Sequence, residues 1–180
     1  MNRLVITMGD PCGVGPEIIV KFFDGIYKVE DKRLFLVVVG SKSVLEYYKK
    51  KLRIDLEIVE ITKAHIVDGK LENGKLHLIN IDTDIDKLEF GKHTELGGAL
   101  SIKYLDKAIE LCHGKYVDGI VTCPISKDSI NMAGFKYSGH TEYLAEKSKT
   151  EDFAMVLKGK KVVVLLNSTH VSLKEAINRV

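Results

Sequence analysis

Short apolar runs alternate with amphipathic stretches along most of the chain. The run at residues 3–8 predicts a strand, and residues 16–23 predict a helix that has Pro16 in its first turn. The same order follows in the β-branched run at residues 33–40 and the amphipathic stretch at residues 43–52. Strands that alternate with helices indicate an α/β layered fold with a mainly parallel sheet.

The middle of the chain departs from this alternation. Two further apolar runs, at residues 56–61 and 75–80, flank a segment rich in turn residues at 67–74. This order predicts a hairpin-like pair of strands. Residues 81–93 are polar and irregular, and residues 95–112 then predict the longest helix of the chain.

The remainder of the chain returns to short elements. It predicts, in order, a strand at 118–123, a loop at 124–127, a short helix at 128–133, a helical element at 138–148 and a hairpin at 153–167 that turns at Lys158–Lys160.

Composition narrows the class of protein. A chain of 180 residues fits one domain of ordinary size with a sizeable core. A net charge of +2, from 27 basic and 25 acidic side chains spread along the sequence, gives no basic face for nucleic acid. Three cysteines without a C-x-x-C pair favour free thiols and a cytoplasmic location. Because no apolar run is long enough to span a bilayer, we expect no membrane partner.

A glycine-rich stretch, TMGDPCGVGPE, joins the first strand to the first helix. Its spacing is neither the dinucleotide fingerprint nor a Walker A loop. Glycines at such a junction either form a tight turn or let the backbone approach an anion or substrate. We favour the turn, and the binding loop is the alternative.

A second stretch, YSGHTEYLAE, places a histidine at the start of a predicted helix. Ser138 or Thr141 is predicted to cap this helix, and Glu142 suits its first turn. Capping does not account for His140. A histidine at a helix N-terminus can donate to a phosphate or carboxylate, and Lys127 could supply positive charge to the same crevice.

The remaining candidates have simpler interpretations. His170 follows an apolar run and could bind a metal, although a hydrogen-bonded structural role is the better interpretation of a lone histidine. Cys123 is a conceivable nucleophile, but a buried thiol is the better interpretation. Four histidines have no recognisable partner in the sequence and are expected to be surface or structural residues: His65, His77, His93 and His113.

Four motifs occur in one order along the chain: TMGDPCGVGPE, TCPISK, SGHTEYLAE and STHVSL. Together they resemble the 4-hydroxythreonine-4-phosphate dehydrogenases of vitamin B6 biosynthesis. The resemblance implies that His140 and Thr141 bind substrate and that His170 is the first of three metal-binding histidines. It also implies a catalytic, supporting role for Lys127 near the substrate. No cofactor-binding residue is identified.

The resemblance further implies a layered fold like that of isocitrate and isopropylmalate dehydrogenases. Residues 1–180 would be the N-terminal portion of a two-domain enzyme, incomplete without its C-terminal portion. The implied reaction is NAD- or NADP-dependent oxidation of 4-phosphooxy-L-threonine, with decarboxylation to 3-amino-2-oxopropyl phosphate. The implied requirements are a divalent metal (Zn, Mg or Co), a small phosphorylated substrate and a homodimer.

Two other functions stay open at this stage. One is a dehydrogenase of a four-carbon sugar-acid phosphate, threonate or erythronate 4-phosphate. The other is a catalytically silent fragment that binds substrate.

Overall fold

The computed structural model describes most of the chain as two compact units. The described residues are 2–25, 34–69, 71–72, 74–168 and 171–178. The units are Met1–Tyr137 and Ser138–Val180.

The first unit contains a five-stranded sheet. Its strands are β1 (Asn2–Thr7), β2 (Leu34–Gly40), β3 (Ile58–Glu60), β4 (Leu76–Asn80) and β5 (Gly119–Thr122). They lie in the order β3-β4-β2-β1-β5, and every neighbouring pair is parallel. The predicted α/β fold with a mainly parallel sheet is therefore confirmed.

In the described part of this unit, five α-helices accompany the sheet. They are α1 (Gly15–Gly25), α2 (Lys42–Leu52), α3 (Lys63–Asp68), α4 (Glu95–His113) and α5 (Lys127–Met132), with a short 3₁₀ turn at Ile85–Lys87. Side-chain oxygens cap α2, α4 and α5: Ser41 accepts from the N–H of Val44, Thr94 from the N–H of Gly97, and Ser126 from the N–H of Ser129. Such caps satisfy backbone donors that would otherwise lack partners in the first turn.

The core of the first unit is built around β2. The side chains of Val37, Val38 and Val39 are fully buried, as are Tyr104 and Leu111 on α4. A parallel sheet is covered on both faces, so its central strands are continuous apolar runs rather than alternating ones. This is why the run at residues 33–40 contains so few polar residues.

Residues 56–80 form a β–α–β crossover, so the hairpin-like prediction is wrong. Strands β3 and β4 are parallel, and parallel neighbours require a crossover connection instead of a tight turn. Helix α3 provides it. The N–H of Thr62 donates to Nδ1 of His65 at 3.1 Å, Ile66 is buried, and Gly69 ends the helix with φ of +63°. A six-residue helix with little periodicity is hard to recognise in a sequence.

The order of strands in the sheet reverses at β1: the chain continues from β1 to β2 on one side, and it later returns from β4 to β5 on the other side. Strand β1 pairs with β2 on one side and with β5 on the other. This arrangement is a topological switch point, and open parallel sheets bind ligands in the crevice outside the strand ends at such a point. The loop after β1 and the loop after β5 both leave from this edge.

The second unit contains a helix, a hairpin and a short helix. Their bounds are α6 (His140–Ser148), β6 (Val156–Lys158), β7 (Val163–Leu165) and α7 (Leu173–Ile177). Strands β6 and β7 are antiparallel, and the N–H of Gly159 donates to the carbonyl of Val162 at 2.8 Å within the turn. The predicted hairpin is confirmed. Among the described residues, no helix is both long and apolar enough to cross a membrane.

Candidate functional site

The glycine-rich loop between β1 and α1 packs tightly against its neighbours. Gly9 has φ of +71°, and a Cβ atom there would overlap the carbonyl oxygen of Pro124. A Cβ on Gly15 would overlap the carbonyl oxygen of Met8. Only glycine fits such close backbone approaches. For these two glycines, the interpretation as a tight turn is sufficient.

Asp10 anchors this loop from inside the protein. Its buried carboxylate accepts hydrogen bonds from the N–H of Cys12 and from the hydroxyl of Ser129, each at 2.9 Å. Its own N–H donates to the carbonyl of Pro124 at 3.0 Å. Asp10 thus joins the loop after β1 to the loop after β5 and to α5. The sequence did not indicate this role, because Pro124 and Ser129 lie far from Asp10 in the sequence.

Lys127 lies at a crevice formed by these two loops. The crevice has a volume of about 410 Å³, and its lining includes Asp10, Gly13, His93 and Lys127. Lys127 is the first residue of α5, and its side chain is exposed. The expected position of Lys127, near the end of a strand and a short loop, agrees with this geometry.

His93 lines the same crevice with an exposed side chain, in agreement with the expectation of a surface or structural residue, and it makes contacts that the sequence did not indicate. Its Nδ1 lies 2.7 Å from Oγ of Ser126, and its Nε2 lies 3.9 Å from a carboxylate oxygen of Asp128. Oγ of Ser126 also accepts from the N–H of Ser129 as the cap of α5. The Ser126 hydroxyl is therefore free to donate to a neutral His93. Only the fold brings these residues together, so no local signal could have identified the contact.

His140 and Thr141 are the first two residues of α6, in the second unit. Gly139 precedes the helix in an extended conformation, and no side chain caps it. The predicted caps, Ser138 and Thr141, are therefore wrong: Ser138 lies one position too early, and Thr141 already lies within the first turn. Glu142 occupies the first turn as expected.

His140 has an unsatisfied buried nitrogen. Its Nε2 has no hydrogen-bond partner among the described residues, although the atom is shielded from solvent. Burial also lowers the pKa of the imidazole below its ordinary value of 6.5, which favours the neutral ring at neutral pH. A buried polar atom without a partner costs about 1–3 kcal/mol, so a ligand that pairs with Nε2 would recover that free energy.

The cysteines are structural. Cys123 is buried, and burial raises the pKa of its thiol to about 11, so the nucleophile interpretation is not supported. Burial is also the main cause that raises the pKa of Cys12. Both residues are free thiols, as is Cys112.

The predicted site residues fall in different parts of the chain. Lys127 and His93 lie together in the first unit, and His140 and Thr141 are consecutive in the second. His170 lies outside the described residues, so its role as a metal ligand stays a prediction. Within the described ranges, no three His, Cys, Asp or Glu side chains are grouped to hold a metal ion.

Known proteins resemble this chain over its whole length. The family model "Pyridoxal phosphate biosynthetic protein PdxA" matches residues 32–180. A 4-hydroxythreonine-4-phosphate dehydrogenase of Sulfurihydrogenibium is 39% identical over 100% of the chain and 53% of its own length. A Fusobacterium nucleatum protein provisionally named D-threonate 4-phosphate dehydrogenase is 36% identical over 99% of the chain and 53% of its own length.

The solved structures give the same result. The crystal structure of a 4-hydroxythreonine-4-phosphate dehydrogenase from Burkholderia phymatum superimposes with a TM-score of 0.86 at 29% identity. The match covers 99% of this chain and 53% of that one. The chain thus spans about half the length of the relatives it matches. The resemblance drawn from the four motifs is confirmed, and the chain belongs to the PdxA family of pyridoxal phosphate biosynthetic proteins.

Proposed function

We propose that this chain carries the substrate-binding part of a dehydrogenase that oxidises the secondary alcohol of a four-carbon phosphorylated acid. The leading substrate is 4-phosphooxy-L-threonine, whose oxidation and decarboxylation would give 3-amino-2-oxopropyl phosphate for pyridoxal 5'-phosphate synthesis. Family membership and the name of the Sulfurihydrogenibium relative support this assignment.

The observation that carries the proposal is the unpaired nitrogen of His140. A neutral imidazole with its proton on Nε2 would donate to a carboxylate or phosphate oxygen of the substrate. The hydroxyl of Thr141, one residue further along the helix, would add a second polar contact. Both residues begin α6, where the helix dipole favours a negative charge.

A threonate or erythronate 4-phosphate is the second candidate substrate. The name of the Fusobacterium relative favours it, because that protein is nearly as similar to this chain as the Sulfurihydrogenibium enzyme is. The two substrates differ in whether carbon 2 carries an amino group or a hydroxyl. A buried imidazole that binds the carboxylate or phosphate would accept either.

The proposed reaction requires a nicotinamide cofactor and a divalent metal. NAD or NADP, when bound, would accept the hydride removed from the alcohol carbon. The resemblance also predicts a divalent metal (Zn, Mg or Co) held with the help of His170. Among the described residues, no three His, Cys, Asp or Glu side chains are grouped to hold a metal ion.

We also propose a domain organisation, an oligomeric state and a cellular location for the enzyme. Residues 1–180 would correspond to the N-terminal part of a two-domain protein that works as a cytoplasmic homodimer. The greater length of the relatives supports the first point, and the three free cysteines suit a reducing compartment. Lys127 is proposed to support the reaction near the substrate.

Calorimetric titration would test the substrate assignment directly. We expect 4-phosphooxy-L-threonine to bind the wild-type chain, and His140→Ala to weaken the binding about tenfold, since a hydrogen bond to a charged group is lost. His113→Ala is the matched control, because His113 is an exposed histidine on α4 in the other unit. Equal affinity of wild type and His140→Ala would contradict the role of His140.

A parallel assay of NADH or NADPH formation separates the remaining alternatives. Turnover of 4-phosphooxy-L-threonine or of erythronate 4-phosphate, with Zn²⁺ or Mg²⁺ present, would identify the substrate. Binding without turnover in the folded chain would support the silent substrate-binding fragment.

A further inference from the structure

The crevice at the carboxyl ends of β1 and β5 lies within the first unit. The loop at 8–14, the turn at 91–93 and residues 124–128 supply its lining. This is the edge at which an open parallel sheet binds ligands. We propose that the crevice binds a phosphoryl group, with Lys127 as the residue that binds the anion and Gly13 as the point of closest approach.

Lys127 carries the uncompensated positive charge of this crevice. No hydrogen bond or ion pair of its ammonium group occurs in the part of the chain that the structure describes. Lys92, the other lysine of the lining, pairs with Glu89 at 2.7 Å. A lysine without a partner at the mouth of a concave site is available to a phosphate, for which an ammonium group is a common ligand.

The acidic groups of the crevice are already engaged. Asp10 is buried, and its two carboxylate oxygens accept from the N–H of Cys12 and the hydroxyl of Ser129. Asp128 faces Nε2 of His93 at 3.9 Å. The carboxylate of Asp128 still adds negative charge beside Lys127. Removal of this charge should therefore strengthen anion binding, which can be tested.

Gly13 is a glycine that internal packing does not require. Its φ is not in the left-handed region, and a Cβ atom there would come no closer than 3.4 Å to the carbonyl oxygen of Asp10. Gly9 and Gly15, in contrast, have no room for a Cβ atom. A bare backbone at Gly13 keeps the wall of the crevice open to a ligand, which is the usual function of glycine where a phosphate approaches a main chain.

A second crevice in the same unit lacks this free charge. It lies at the ends of β3 and β4 and has a volume of about 510 Å³. Its lysines Lys63 and Lys107 both pair with Glu110, and its Glu60 pairs with Lys42 at 2.8 Å. The charged side chains of the larger crevice are thus neutralised by neighbouring residues, whereas Lys127 in the smaller crevice has no partner among the described residues.

The biological ligand rests on the proposed function, because both partners of such a dehydrogenase carry phosphoryl groups. The substrate would present its terminal phosphate, and the dinucleotide cofactor would present its pyrophosphate. The whole lining of the crevice lies in the first unit, so its binding can be tested without turnover and without His140.

The test is a titration of the ¹⁵N-labelled 180-residue chain with sodium pyrophosphate, followed by NMR. We expect the amide signals of Gly13 and Val14 to shift, and Lys127→Gln to weaken the binding about tenfold because a charge-assisted contact is lost. Lys92→Gln should change the affinity by less than about threefold, since Glu89 already neutralises Lys92. Asp128→Asn should tighten it slightly. Unshifted Gly13 signals, or equal affinity in Lys127→Gln, would overturn the proposal.

A second arm tests the wall of the crevice and the source of the ligand. Gly13→Ala should weaken pyrophosphate binding while leaving the melting temperature unchanged, and a variant that binds like wild type would count against the role of Gly13. Displacement of pyrophosphate by NAD would assign the crevice to the cofactor, and displacement by erythronate 4-phosphate would assign it to the substrate. Displacement by neither would reduce the crevice to a nonspecific anion site and overturn the proposal. The His140 ring signals report the proposed substrate site separately, so failure of one site is distinguishable from failure of the other.

Discussion

Apolar strands β2 and β4 are buried in the first unit, and β6 and β7 are exposed in the second, although their sequences are similar. In the first unit, Val38 on β2 and Leu78 on β4 are fully buried. In the second unit, Leu157 on β6 and Val163 on β7 are 56% and 61% exposed. Strand β2 has a hydrogen-bonded neighbour on each side, whereas β6 and β7, within the described residues, pair only with each other. An apolar run predicts a strand, but the elements that cover the two faces of its sheet decide whether the side chains of that strand are buried.

The two units also differ in how closely their backbone segments pack. In the first unit, backbone segments approach each other at Gly15, and also at Gly98, where a Cβ atom would overlap the carbonyl oxygen of Ser129. In the second unit, a Cβ atom on Gly139 would have no neighbour within 4 Å. Substitutions should therefore have large effects on the first unit and small effects on the second.

The largest effect is expected from Gly15→Ala. The new methyl group would overlap the carbonyl oxygen of Met8, and a backbone atom cannot move aside as a side chain can. We expect the free energy of unfolding of the first unit to fall by about 4 kcal/mol, at the upper end for overpacking. Urea denaturation followed by circular dichroism measures this change. Gly13→Ala is the matched control in the same loop and should be close to neutral.

A pair of leucine truncations compares the two units directly. Leu78→Ala, in the fully buried β4, should cost about 3 kcal/mol through lost transfer free energy and a residual cavity. Leu157→Ala, in the exposed β6, should cost less than about 0.5 kcal/mol. Hydrogen exchange measured at each site would report both values. A large loss for Leu157→Ala would mean that the hairpin is covered in solution.

Local patterns predicted most elements of the fold. The alternation of buried strands and helices was recognisable from residues 33–40 and 95–112, because long runs and clear periodicity carry a strong signal. Helix α3 is too short to be recognised in the sequence. Without this helix in the prediction, the parallel crossover was interpreted as a hairpin. The N-terminal contact of helix α3 depends on a histidine, His65, which is an unusual partner at that position.

The candidate site was only partly recognisable. The position of Lys127 could be predicted, because loops after parallel strands gather at one edge. The contact of His93 with Ser126 spans 33 residues, and that of Asp10 with Ser129 spans 119, so no local pattern contains either. The unpaired Nε2 of His140 also depends on burial, which its motif does not specify.

Asp10→Ala should give the next largest effect. The change removes an acceptor from the N–H of Cys12 and from the hydroxyl of Ser129 in a buried setting. We expect a loss of about 2 kcal/mol, typical of hydrogen bonds to a charged group. A double-mutant cycle with Ser129→Ala measures the contact itself. Fully additive losses would show that the two side chains do not interact in solution.

The smallest expected effect is a dependence of the free energy of unfolding on pH. Each unit has its own histidine whose pKa is lowered by burial, His77 in the first and His140 in the second, so the two units can be tested separately. His77 on β4 is buried, and burial is the main cause that lowers its pKa below 6.5; nearby Glu57 and Glu72 raise the pKa, and Lys75 lowers it. The unfolded chain therefore binds a proton that the folded first unit does not bind, as pH falls from 6.5 toward the folded pKa. The free energy of unfolding must decrease over that window, by at most about 1.4 kcal/mol per pH unit for one proton.

Hydrogen exchange of the β4 amides between pH 7 and pH 5, corrected for intrinsic exchange rates, would measure this slope. His77→Gln should flatten it, whereas His140→Gln should leave it unchanged, because His140 belongs to the second unit. His140 also has a pKa lowered by burial, so the second unit should lose stability in the same direction. A β4 slope that responds to His140→Gln would mean that the two units unfold together, in spite of their different packing.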